Sequence, residues 1–149
     1  MLCVWACIAL LLCLPSVSQS FPRVSGTSGD ALSLAMLQSA GAQALSHAEA
    51  LEFLFKNKGR LNGDIALWRD TLWLFHDGTL KGETSGYFTC SSPATGRWSL
   101  DEDGTLHLLV NWRWGGKQDS VGKLYAHEGY VYQMDEQDVN RSWLYRFKM

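Results

Sequence analysis

From Leu72 to Lys148 apolar side chains recur at every second position, and short turns built on Asp and Gly break the runs at close intervals. No other feature constrains the fold as much, because a period of two gathers one set of side chains on one face of an extended strand. Leu72-Trp73-Leu74-Phe75 enters the turn His76-Asp77-Gly78 and returns as Thr79-Leu80-Lys81, a hairpin in which Gly78 takes the left-handed position. Trp98-Ser99-Leu100 enters Asp101-Glu102-Asp103-Gly104 and returns as Thr105 to Trp112, with Leu106, Leu108, Val110 and Trp112 on one face. The phrase Asp-Gly-Thr-Leu marks both returns. After Gly115-Gly116, Lys123-Leu124-Tyr125 and Tyr130-Val131-Tyr132 flank a turn at Glu128-Gly129, and Arg141 to Lys148 supplies a last strand with Trp143, Tyr145 and Phe147 on one face. Short strands joined by tight turns pair with their neighbours, and such a sheet must curl or be covered to protect its edges. The expected fold is mainly β, an α+β arrangement: an antiparallel meander sheet or small barrel of about 7–8 strands over 64–148, with one N-terminal helix packed on it.

That helix is expected over 46–58. Ser46 and Glu49 form a capping box, Leu51, Leu54 and Phe55 follow at helical spacing, and Lys56, Lys58 and Gly59 close the segment. The preceding 21–45 is rich in Ser, Gly, Ala and Gln and reads as a flexible linker or weak helix. Residues 46–149 therefore make a single domain.

Residues 1–20 read as a secretory signal peptide. Leu2 to Leu14 is an uninterrupted apolar run, too short to span a bilayer, and Ser18-Gln19-Ser20 offers small residues for cleavage before Phe21. The expected location is outside the cell or in the secretory-pathway lumen, with no membrane contact after cleavage. Cys3, Cys7 and Cys13 leave with the leader, so Cys90 remains as a free thiol and no disulfide can form within the chain. Asn140-Arg141-Ser142 is an N-glycosylation sequon, and Asn140 is the expected acceptor.

Two phrases add a resemblance. Gly96-Arg97-Trp98 is a G-x-W phrase, and Trp73 to Leu80 carries a W…F…D-G-T-L strand-turn-strand pattern. Through them residues 64–148 resemble lipocalin-like and other small meander-barrel proteins. The resemblance implies a curled antiparallel barrel able to take a ligand at its mouth.

Identifiable chemistry is sparse. Thirteen basic residues stand against fifteen acidic ones, scattered along the chain, which gives no footprint for nucleic acid. His47, His76, His107 and His127 lack partners at metal-ligand spacing, and His107 falls on the sheet surface by strand parity. Asp101 to Gly104 lacks the remaining ligands of a calcium loop, and no G-x-S-x-G elbow is present. No metal, cofactor or catalytic residue is expected. Aromatic content stands out: beyond the leader remain Trp68, Trp73, Trp98, Trp112, Trp114 and Trp143. Trp112-Arg113-Trp114 sits at a strand exit beside Gly115-Gly116, where two indoles and a guanidinium suit a sugar ring or an apolar ligand. The reading is a secreted, non-catalytic module that binds a glycan or small apolar ligand through Trp112, Arg113, Trp114 and Trp73. The alternative is a structural or accessory module that binds another protein through a sheet edge or through residues 21–45; an enzyme of unknown class comes third.

Overall fold

The computed structural model describes residues 32–65, 68–86, 91–138 and 144–149. The leader, Cys90 and Asn140 lie outside the described residues. Two helices, α1 (Leu34–Ser39) and α2 (His47–Lys56), accompany β1 (Gln43–Ala44), β2 (Arg60–Ile65), β3 (Trp68–Leu74), β4 (Thr79–Gly86), β5 (Ser91–Leu100), β6 (Thr105–Trp112), β7 (Gly116–His127), β8 (Tyr130–Met134) and β9 (Tyr145–Lys148). Strands β2 to β7 pair in sequence, β9 pairs with both β2 and β8, and β8 pairs back on β7, so eight antiparallel strands close into a barrel. The expected mainly β architecture is the one found.

Alternation does what it must in a barrel. Leu61, Leu72, Gly82, Ala94 and Trp112 lie side by side across successive strands and point inward. Leu74, Leu80, Gly96 and Val110 form the next inward row. Gly82 is bare because its neighbours use the space: a Cβ there would stand 2.9 Å from the Leu72 side chain and 3.5 Å from the Trp112 ring. The interior is thus packed with side chains, mostly aliphatic, in the manner of a small barrel.

The twin turns share their chemistry. The Asp77 carboxylate accepts from the Thr79 amide at 2.9 Å and its hydroxyl at 2.6 Å, and the Asp103 carboxylate accepts from the Thr105 amide at 3.0 Å. Gly78 and Gly104 take the left-handed conformation, at φ 79° and 85°. In each turn the aspartate ties down the residue that begins the return strand.

Helix α2 covers the barrel end that carries these turns. Its capping box forms as the sequence requires, with the Ser46 amide donating to the Glu49 carboxylate at 2.8 Å and the Glu49 amide donating to the Ser46 hydroxyl at 3.4 Å. Ala50 and Leu54 are fully buried against the barrel core, while Leu51 and Phe55 are only partly so. The Phe55 ring stacks on His76 at 4.2 Å and meets Trp98 edge-on at 5.6 Å. Trp98, from the G-x-W phrase, donates its indole N–H to the Phe75 carbonyl at 2.8 Å, so it braces this end.

Three boundaries differ from the sequence reading. Helix α2 stops at Lys56 rather than 58, because Lys58 and Gly59 both adopt positive φ and reverse the chain. The sheet consequently begins at Arg60 and not at 64. Within 21–45, the described part forms α1, whose Leu34 and Leu37 pack on Tyr125, Tyr132 and Met134 outside the barrel, and β1, which pairs with β7. Beyond the last β6–β7 pair, Thr105 with Lys123, β1 takes over that side of β7 through Gln43–Ala126 and Ala44–Tyr125.

Candidate functional site

The end opposite α2 carries the turn from Trp112 to Gly116, and here the four tryptophan and arginine candidates part company. Strand β6 ends at Trp112, so alternation does not carry through to Trp114. Trp112 turns inward against the core, and its indole N–H donates to the Gln118 side chain at 3.1 Å. Trp114 turns outward and is 70% exposed. The Arg113 guanidinium lies 5.1 Å from the Trp114 ring centroid, a cation–π pair that fixes both groups at the corner. Two hydrogen bonds from main-chain amides hold this corner to β5: the Arg113 amide donates to the Pro93 carbonyl at 3.0 Å and the Trp114 amide donates to the Ser92 hydroxyl at 3.2 Å.

Beside the corner, Pro93, Ala94, Thr95, Asn111 and Arg113 line a shallow depression of about 250 Å³ on the outer face of β5 and β6. Trp73 belongs to the same outer face. The pairings Trp73–Lys81, Lys81–Thr95 and Thr95–Asn111 place it three strands from Asn111 in a single cross-sheet row. The structure therefore brings Arg113 and Trp114 together, sets Trp73 on the same face at a distance, and assigns Trp112 to the interior.

Behind the corner the barrel interior turns polar. Gly63, Asp70, Thr84 and Ser92 form the next inward row toward this end, and Asp70 and Ser92 are buried. Burial pushes the Asp70 carboxyl above the usual aspartate range, partly offset by a hydrogen bond with Thr84. Across Gly63 lies Tyr145, fully buried, its hydroxyl without a hydrogen-bond partner among the described residues. Its pKa is raised by burial and further by the charge of Asp70. The sequence placed Tyr145 on one face of the last strand without marking its hydroxyl, and Asp70 was passed over although it shares parity with Leu72 and Leu74 and so announces a carboxylate on the inward face.

Elsewhere the titratable groups serve the turns. His107 pairs with Asp101 at 2.8 Å on the sheet surface, and His47 donates to the Asp101 carbonyl at 2.8 Å. Among the described residues, no three His, Cys, Asp or Glu side chains gather into a metal-binding group. A second surface depression, of about 430 Å³, lies along β7 near Lys123, where Lys123 bridges Asp103 and Glu136.

The fold and this corner define a closed eight-stranded antiparallel barrel, plugged by a helix at one end and bearing an exposed aromatic–cation pair at the other. No family model, no curated protein and no solved structure matches the chain.

Proposed function

We propose that the chain is a non-catalytic binding module of the secretory route that holds a glycan against the outer face of the barrel at the β5–β6–β7 corner. The observation that carries this reading is Trp114, a large ring left 70% exposed on an otherwise well-packed barrel and backed by Arg113. A pyranose presents an apolar face and a rim of hydroxyls. An exposed indole supplies the plane to stack on, and Thr95, Asn111 and Arg113 along the adjoining depression supply hydrogen-bonding partners. A small apolar ligand fits less well, because the inward rows are already occupied by packed side chains. The leader and the Asn140 sequon support a secreted glycoprotein.

Titration of the secreted protein with an oligosaccharide panel should change its tryptophan fluorescence, and Trp114→Ala should weaken binding about tenfold, the equivalent of about 1.4 kcal/mol of stacking. A flat response across the panel overturns the reading. The alternative is protein capture through a sheet edge or through 21–45; the second route asks residues 34–45 to serve a partner while they already pack on β7 and β8.

A further inference from the structure

Resting on the glycan reading, we infer that the ligand is an unbranched acidic polysaccharide, carrying sulfate or uronate groups, wound across the strands around the outside of the barrel. The register aligns Arg60, Trp73, Lys81, Thr95, Asn111 and Lys117 in one unbroken row over β2 to β7. Strands lie about 4.8 Å apart, so the row follows an arc of about 24 Å that winds more than halfway round the closed barrel, with its cations two and then three strands apart. All members but Trp73 are exposed; Trp73 is half-buried and stands between Arg60 and Lys81 in the register, and the Lys81 ammonium lies 6.0 Å from the Phe75 ring centroid.

Charge is segregated on this barrel. The chain as a whole is net acidic, at -2. Yet none of Arg60, Lys81, Arg97, Arg113 and Lys117 forms an ion pair with a described carboxylate, whereas Lys123 bridges two. Arg97 and Arg113 lie in the rows on either side of the central one, where Glu83 and Asp119 are the facing acids. Asp101, Glu102, Asp103, Glu128, Asp135, Glu136 and Asp138 fall instead in turns or just after β8. A surface of spaced cations without ion pairs to described carboxylates, with aromatic rings among them and hydrogen-bonding Thr95 and Asn111 between them, complements a chain of sugars bearing anions at intervals.

The test compares a sulfated, a uronate-bearing and a neutral polysaccharide, with single-stranded DNA as a control polyanion. With three cations engaged, raising salt from about 50 to about 200 mM should weaken binding of the acidic glycans about 20- to 40-fold, on the slope per neutralised charge known for nucleic acids. The exposed substitutions Lys81→Gln and Lys117→Gln together should cost about tenfold in affinity for acidic glycans and leave neutral-glycan affinity unchanged. Circular dichroism checks that the variant stays folded. Equal, salt-insensitive affinity for neutral and acidic glycans, abolished by Trp114→Ala, overturns this inference while the glycan reading survives. Equal or tighter binding of DNA also overturns it. No binding to any of the glycans removes both.

Discussion

Asp70 and Trp114 show how far a residue's role depends on which side of a strand it occupies. Asp70 faces inward, and burial disfavours its charged form, so the folded protein holds a proton there more readily than the unfolded chain does. The sign follows: stability from this group is greatest at acid pH and is lost as pH rises from the ordinary aspartate value through the raised one. Asp70→Asn keeps a partner for Thr84 and removes the charge. It should raise the urea midpoint at neutral pH, with the gain shrinking toward zero at acid pH. A variant less stable than the parent at neutral pH would show that the carboxylate is favoured in the folded state. Trp114 was legible as a candidate from its place at a strand exit, but not as separate from Trp112. Sequence parity assumes that the strand continues, and β6 stops at Trp112. Tyr145 was legible as an inward residue of the last strand; its unpartnered hydroxyl was not, because the groups around it come from strands distant in sequence.

Among the elements, legibility tracks how local the stabilising contacts are. The capping box of α2 and the Asp-Gly turns are satisfied within three residues of chain, so the sequence announces them. Helix α1 is six residues long, too short to stand alone, and exists through Leu34 and Leu37 on tyrosines some ninety residues further along. Composition alone made that segment read as linker or weak helix. The start of β2 at Arg60 was hidden for a related reason, since a strand of mixed polarity becomes one through its ladder to β3. Helix α2 contributes by burying Leu54 completely in the barrel core. Leu54→Ala should lower unfolding free energy by about 2–5 kcal/mol, read from denaturant midpoints. A loss under about 1 kcal/mol would mean that α2 rests on the barrel without sealing it.

At the scale of the molecule, the strands, their sequential pairing and a small barrel as one of two outcomes could be read, and which strands meet to close it could not. Closure depends on β9 reaching β2 and on β7 passing from β6 to β8 near Lys123, neither of which leaves a local trace. Gly122 sits at that handover, where a Cβ would collide with the Met134 carbonyl. Gly122→Ala must push backbone against backbone, and should cost about 2–3 kcal/mol and lower the melting temperature. Unchanged melting would mean that β7 and β8 separate freely at that point.

The described chain enters the barrel beside Tyr125 and Ala126 and leaves it where the Met149 amide donates to the Gly129 carbonyl at 3.0 Å, both near the turn between β7 and β8. Trp114 stands at the far extremity. A tether attached at position 149, whether a resin, a fused partner or a probe tip, would therefore hold the barrel by its stoppered base and present the aromatic corner to the surroundings.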